Sequence, residues 1–326
     1  MFGKVRPIIH TDFKGYKMVA VGNQLHYSKS WKTFPDFLFT YIAQVLGSDW
    51  GNQELKKPYD ERHQILKWYD GVCRFQDNQK KGENGIYSAI PDGVTAAYLR
   101  LAYDLYILRH HTALQKEVVR RLKNQDQFQG SRYELFVAST FIRAGFDISY
   151  EDESDRTITH PEFVATHKVT GQIVSVEAKS RHRPGVLGFP GEVESESDIK
   201  LGVRRLLNRS LLKTTNHPYV IFIDLNLPPL PGKIFEKPWF GKILSSISKD
   251  GGPAKENPDP YNLLVFTNHP DHYGKEGEIY PKKDTIFVVP KYSRVPVHYP
   301  KIIEEIHEAA SQYGNIPNEF PGDWDS

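Results

Sequence analysis

The chain has 326 residues, of which 39% are hydrophobic, enough for one large or two ordinary globular domains and too many for a disordered protein. The formal net charge is only +2, so any attraction to nucleic acid must come from local patches. The single cysteine, Cys73, excludes an internal disulfide framework, and no run of residues approaches the length of a membrane-spanning helix. We therefore expect a globular, cytoplasmic protein that does not enter a membrane.

The first part of the chain, residues 1–125, is predicted to be mainly helical. A small hairpin is predicted near residues 17–27, and apolar residues then recur with helical periodicity in four segments. These segments lie near residues 36–46, 60–73, 92–110 and 113–123. No motif in this region indicates a function, so we interpret its aromatic and aliphatic side chains as core.

The second part, residues 126–326, begins with a predicted helix that carries an acidic residue. Glu134 is spaced from Ala138 and Phe141 as residues on one helix face are, so we expect its carboxylate to face inward. A single glutamate on a helix is more often a solvated surface charge. Its importance here depends on the residues that follow.

Two predicted strands after this helix bring acidic and basic side chains together. Residues 163–168 and 173–179 are separated by a short, turn-like interval, which predicts an antiparallel hairpin. Because alternate side chains of a strand share a face, Glu177 and Lys179 point the same way. Pairing of the two strands brings Glu162 toward Glu177. Two carboxylates with a neighbouring backbone carbonyl are the hard-oxygen environment that Mg²⁺ prefers.

Each of these residues also has an ordinary interpretation. A glutamate and a lysine two positions apart on an edge strand are usually solvated or paired with charges across the strand. Short motifs of this kind also occur without function. If Glu162 points away, Asp155 in the acidic run 151–155 is the reserve candidate for the second carboxylate.

The sequence Pro161-Glu162, followed by Glu177-Ala178-Lys179, resembles the signature of the PD-(D/E)XK nuclease superfamily. The predicted order of elements over residues 130–225 is similar to that family's core of a helix, three strands, a helix and a strand. The resemblance implies an α/β, restriction-endonuclease-like core in which a mixed central sheet is flanked by helices, preceded by the mainly helical region. One departure is that the family usually has Asp after the proline, whereas this chain has the longer Glu162.

The same resemblance implies roles for individual residues. Glu162 and Glu177 are expected to be metal ligands, with the carbonyl of Ala178 as a third. Lys179 is expected to position or activate the attacking water, and Glu134 could reach the metal or its waters. The implied cofactor is Mg²⁺ or Mn²⁺, and the implied activity is that of an endonuclease-like hydrolase that cleaves phosphodiester bonds in DNA.

A basic group follows the motif and favours contact with a phosphate backbone. In the next predicted helix, near residues 198–213, basic residues recur every four positions. The whole group comprises Arg181, Arg183, Arg205, Arg209 and Lys213. Considered alone, such a stripe is more often a solvated helix face.

The remainder of the chain is predicted to extend the sheet. A proline-rich turn follows a strand at residues 219–225, and two more strands and two helices come after it. The strands are expected near residues 263–267 and 284–289, and the helices near residues 238–248 and 301–313.

Three functions remain open from the sequence. The leading hypothesis is a metal-dependent nuclease that acts on DNA. The second is a nucleic-acid-binding module that keeps the fold without turnover. The third is a non-catalytic interaction protein, in which the helical first half binds a partner and the acidic and lysine residues form a structural ion-pair network. A homo-oligomer or a partner protein is compatible with each of them.

Overall fold

The chain forms two compact units. The first comprises residues 1–128, 271–281 and 312–326, and the second comprises residues 129–270 and 282–311. The second unit thus begins close to the boundary expected at residue 126, while two segments from the C-terminal part belong to the first unit. The computed structural model describes residues 3–82, 84–86, 88–150, 160–194, 200–213, 215–248, 254–279 and 282–321.

The first unit begins with a three-stranded antiparallel sheet, in the order β1 (Ile9–Phe13), β2 (Tyr16–Val21) and β3 (Gln24–Ser28). The hairpin predicted from the sequence is β2 and β3, and β1 adds an edge strand that was not predicted. Val19 and Val21 of β2 are fully buried, so one face of this sheet forms part of a core. The opposite face carries exposed side chains such as Phe13 and Tyr27.

Five α-helices follow among the residues of the first unit that the structure describes. The longest, α4, begins after Asp92, whose carboxylate accepts a hydrogen bond of 2.8 Å from the backbone N–H of Thr95. Among the described residues, no helix has both the length and the apolar character needed to cross a bilayer. The helices are α1 (Phe34–Leu46), α2 (Ser48–Leu55), α3 (Gln64–Asp77), α4 (Gly93–His111) and α5 (Lys116–Leu122).

The second unit is built on a six-stranded mixed sheet. Its strands lie in chain order across the sheet, antiparallel from β4 to β6, parallel from β6 to β8, and antiparallel again at β9. The strands are β4 (Phe146–Tyr150), β5 (Phe163–His167), β6 (Ile173–Ser180), β7 (Tyr219–Asp224), β8 (Leu263–Asn268) and β9 (Asp284–Val288). The α/β class and the mixed sheet agree with the sequence analysis, and so does the extension of the sheet by the last two strands.

Helices flank this sheet because its parallel pairs need long crossover connections. The helices of this part of the chain are α6 (Phe128–Arg143), α7 (Val203–Leu211), α8 (Pro238–Ile247) and α9 (Lys301–Ser311). Phe136 and Phe141 of α6 pack against Phe222 of β7. The neighbouring β7 residues, Ile221 and Ile223, belong to a different core cluster that includes residues of α7 and α8. Since successive residues of a strand face opposite sides, α6 covers one face of the sheet and α7 and α8 cover the other.

Phe141 provides a test of this packing. Its fully buried ring contacts Phe146, Phe163 and Phe222. We expect Phe141→Ala to lower the free energy of unfolding of the second unit by about 3–5 kcal/mol, through lost burial and the cavity left behind. Urea denaturation followed by circular dichroism measures this loss. Val169→Ala is the control, because Val169 is 81% exposed; equal midpoints for the two variants would contradict the described packing.

Candidate active site

The central strand β6 carries the two charged residues of the motif on one face. Glu177 is in register with Ile221 of the parallel strand β7, and Lys179 is in register with Ile223. Register partners in neighbouring strands share a face, so both charges lie on the side of the sheet covered by α7 and α8. Ala178, between them, is in register with Phe222 and faces α6.

Pairing of β5 with β6 brings the third residue of the motif to the same place. Phe163 is in register with Val176, and the backbone N–H of Glu162 donates a hydrogen bond of 3.0 Å to the carbonyl oxygen of Val176. This continues the ladder by one residue, which sets Glu162 beside Glu177. The predicted antiparallel hairpin is thus confirmed, while the role of these residues in a metal site stays a prediction.

Two glutamates and two lysines form one ion-pair cluster. The Nζ atom of Lys179 lies 3.0 Å from Oε1 of Glu162 and also contacts Oε1 of Glu177. The Nζ atom of Lys213 lies 2.9 Å from Oε2 of Glu177 and 3.5 Å from Oε1 of Glu162. Each ammonium therefore contacts both carboxylates. The cluster contains two negative and two positive charges.

Burial decides the electrostatics of this cluster. Glu177 is fully buried, which raises the pKa of its carboxyl group; Lys179 opposes the shift and Glu162 adds to it. For Lys179, burial alone lowers the pKa of the ammonium, but the charges of Glu162 and Glu177 outweigh burial and the net pKa is raised. Lys179 is therefore a cation at neutral pH, and Glu177 depends on its neighbours to remain an anion.

Lys213 was predicted to contact phosphate as the last member of a helical stripe. The helix α7 ends at Leu211, before Lys213, and Leu212 is 75% exposed rather than part of the apolar side. Beyond the helix end, the four-residue periodicity no longer fixes the direction of a side chain. Lys213 therefore lies against the carboxylates, while Arg205 and Arg209 are exposed on α7.

The two arginines that follow Lys179 have different surroundings from those expected. Arg183 is buried, and its guanidinium donates hydrogen bonds to the backbone carbonyls of Leu225 and Asn226 and to the carboxylate of Glu194. These contacts engage the guanidinium of Arg183 inside the second unit, which leaves it few donors for a phosphate. Arg181 is partly exposed and donates to the carbonyl of His182.

Glu134 and Asp155 complete the set of predicted residues. Glu134 is half-buried on α6, the helix that covers the opposite face of the sheet from Glu177 and Lys179. Its role toward a metal stays a prediction. Asp155 lies outside the described residues.

A buried polar network beside the motif was missed by the sequence analysis. Asp224, at the end of β7, is buried, which raises the pKa of its carboxyl group, and Arg132 opposes this shift. The hydroxyl of Ser180 donates to Asp224 at 3.1 Å, and the backbone N–H of Asn226 donates to it at 3.1 Å. The network fixes the end of β6, next to Lys179, against β7. The available signal was an acidic residue directly after the apolar run of β7.

The donor atoms of the site are compatible with a small divalent cation. Among the described residues, no group of three or more His, Cys, Asp and Glu side chains could hold a metal ion. Mg²⁺, however, is commonly bound through only one or two carboxylates and keeps several waters. Glu162, Glu177 and the Ala178 carbonyl provide hard oxygen atoms of this kind. A cation bound there would compete with two ammonium groups for the same carboxylates.

Comparison with known proteins finds no matching family model, no matching curated protein and no matching solved structure. The resemblance to the PD-(D/E)XK superfamily therefore stays a prediction that depends on the motif and the order of elements.

The pH dependence of stability tests the role of Lys213. We expect Lys213→Met to destabilise the protein by roughly 3 kcal/mol at neutral pH, because the buried carboxylate of Glu177 loses a cation. The pKa of Glu177, already above its ordinary value of 4.5, should then rise further. As the pH falls, this carboxyl group binds a proton in the folded state before it does so in the unfolded state. The free energy of unfolding therefore increases as the pH falls toward 4.5, the ordinary pKa of the group. The difference in free energy of unfolding between the wild type and Lys213→Met should therefore decrease over this pH range.

Urea denaturation from neutral pH downward, in buffer with a chelator, measures this deficit. Arg209→Met is the matched control, because Arg209 is exposed on the helix that precedes Lys213. A deficit that is the same at every pH, or that Arg209→Met shares, would contradict the described ion pairs.

Proposed function

We propose that the protein is a metal-dependent nuclease that hydrolyses phosphodiester bonds in DNA. The observation that carries this proposal is the cluster of Glu162, Glu177 and Lys179 on the paired strands β5 and β6. Two carboxylates, one of them fully buried, and a lysine converge at one point of a mixed sheet. The order α6, β4 to β6, α7 and β7 further supports a restriction-endonuclease-like core.

The residues of the site divide the chemical work. Glu162, Glu177 and the Ala178 carbonyl are the proposed ligands of Mg²⁺ or Mn²⁺. When bound, such a cation activates water and neutralises charge on the phosphate. The ammonium group of Lys179 has three N–H donors, and it contacts both carboxylates. The remaining donor is suited to bind the attacking water or a phosphate oxygen. Glu134 lies on the helix that covers the opposite face of the sheet, and we assign it no step in this chemistry.

A second candidate function is nucleic-acid binding without turnover. Lys213 favours this candidate because, with Lys179, it neutralises the charges of Glu162 and Glu177. Such a neutral arrangement is typical of a structural ion-pair network. In that case Lys179 and Glu177 stabilise the fold, and no metal is needed. A non-catalytic interaction protein would use the same network and bind a partner through the first unit.

Cleavage assays distinguish these candidates. The purified protein is incubated with supercoiled plasmid, linear duplex, single-stranded DNA and RNA, each with Mg²⁺, Mn²⁺ or a chelator. We expect metal-dependent cleavage of DNA, which Lys179→Met and Glu177→Gln reduce by about 10²–10⁴-fold, because the positioned water and a metal ligand are lost. Lys291→Met is the control, since Lys291 is exposed and belongs to neither the cluster nor α7.

Both variants must remain folded for this comparison, which thermal unfolding checks. DNA binding without cleavage by the wild type under every condition would favour the second candidate. Equal cleavage by the wild type and both folded variants would refute the assigned site.

A separate test concerns the exposed arginines of α7. Arg205 and Arg209 lie one turn apart, and we propose that they contact the phosphate backbone together with Arg181. The double variant Arg205→Ala, Arg209→Ala should lower duplex affinity irrespective of sequence. The slope of log affinity against log salt should decrease by about 2, because each phosphate contact contributes about 0.9.

Binding is measured by fluorescence anisotropy at several salt concentrations, with a chelator to prevent cleavage. Arg120→Ala is the control, since Arg120 is an exposed arginine of α5 paired with Glu117. An unchanged salt slope in the double variant would remove these arginines from the interface.

A further inference from the structure

The three-stranded sheet of the first unit has one buried face and one exposed face. Val19 and Val21 are fully buried and belong to the first of these. Alternate residues of a strand share a face, and register partners such as Phe13 with Tyr16 and Met18 with Tyr27 lie on the same face. The exposed face therefore carries a set of large side chains. We call this the aromatic sheet face; it comprises Ile9, Phe13, Tyr16, Met18, Leu25 and Tyr27.

The side chains of the aromatic sheet face are unusually accessible for their size. Phe13 is 56% exposed and Tyr27 is 63% exposed, and Ile9 and Leu25 are more than half exposed as well. Single exposed apolar residues are normal, but a contiguous group on one side of a sheet marks an interaction surface. No other face of the described sheets combines apolar side chains with this degree of exposure.

Three rings give the aromatic sheet face a specific shape. Phe13 on β1 and Tyr16 on β2 are register partners, and the rings of Tyr16 and Tyr27 are 5.8 Å apart and nearly perpendicular. Since neighbouring strands lie about 4.8 Å apart, the three rings extend across the sheet over roughly 10 Å. Rings on a small sheet with this extent can stack two or three nucleic-acid bases.

Cations accompany the rings. The Nζ atom of Lys14 lies 5.2 Å from the centre of the Phe13 ring, and the Nζ atom of Lys29 lies 4.8 Å from the centre of the Tyr16 ring. The acidic residue of these strands, Asp12, lies on the opposite face of the sheet, where its carboxylate pairs with Lys17. Exposed rings with lysines beside them complement a partner that offers both flat aromatic groups and negative charge.

We propose that the aromatic sheet face binds single-stranded DNA, with bases stacked on Phe13 and Tyr27 and phosphates near Lys14 and Lys29. Unpaired bases expose the flat surfaces that these rings can stack upon, whereas duplex DNA keeps its bases stacked inside. The face carries no amide or carboxylate side chain to read base edges, so stacking should be tolerant of sequence. This inference goes beyond the proposed nuclease function, because binding here needs neither metal nor cleavage.

The test measures binding of a fluorescein-labelled oligothymidine of about 15 nucleotides, a length within the range that such sites occupy. Anisotropy titrations use the full chain with a chelator. Phe13→Ala and Tyr27→Ala should each weaken binding about tenfold, a change of about 1.4 kcal/mol. Tyr27→Phe should retain affinity, because it keeps the ring.

Phe235→Ala is the matched control. Phe235 is also an exposed phenylalanine with a lysine, Lys233, beside its ring, but it lies outside the aromatic sheet face. We expect Phe235→Ala to bind oligothymidine with wild-type affinity. We also expect Phe13→Ala to bind duplex DNA with wild-type affinity. Equal thermal unfolding temperatures establish that the variants are folded.

Several results would overturn the proposal. These are the absence of oligothymidine binding by the wild type, unchanged affinity in Phe13→Ala and Tyr27→Ala, and an equal loss in Phe235→Ala. Preference for RNA of matching sequence would reject DNA as the partner. A change from dimer to monomer in both variants, with oligothymidine binding unaltered, would instead identify the face as a contact between copies of this chain. None of these outcomes depends on whether Glu177→Gln abolishes cleavage.

Discussion

The fully buried carboxylate of Glu177 is the constraint on which the second unit depends. Removing a carboxylate from water is costly unless cations and hydrogen bonds replace the lost hydration. Lys179 and Lys213 supply the cations, and Glu162 shares both of them. A buried carboxylate on a central strand therefore needs a cation beside it. The two lysines are that partner in this structure, and the proposed metal ion would be a further cation at the same carboxylates.

The topology of the sheet explains how the partners meet. The hairpin of β5 and β6 sets Glu162 beside Glu177, and the parallel pairing of β6 with β7 requires a crossover over one face of the sheet. That crossover contains α7, so the segment that follows it delivers Lys213 to the carboxylates. The polar network around Asp224 then fixes the strand end next to Lys179.

The two surfaces proposed to contact nucleic acid belong to different units of the chain. The second unit carries the buried ion-pair cluster and the exposed arginines of α7, which suit a phosphate backbone. The first unit carries the aromatic sheet face, with Lys14 and Lys29 beside two of its rings, and this face is the proposed contact for unpaired bases. Because the net charge of the whole chain is only +2, both surfaces must act through local arrangement rather than through an overall attraction.

Local periodicity in the sequence predicts much of the fold. Most of the helices and strands, the hairpin before Glu177 and the shared face of Glu177 and Lys179 follow from strand and helix repeats, which act over a few residues. The strand β1 and the helix α2 were not predicted, and the burial of individual polar side chains depends on the tertiary structure. In the tertiary structure, Lys213 contacts Glu177 just beyond the end of α7, and Arg183 is buried with its guanidinium bound to backbone carbonyls. The strand β1 pairs with β2 and contributes Phe13 to the aromatic sheet face. These outcomes depend on contacts between residues far apart in the chain, and such contacts leave no periodic signal in the sequence.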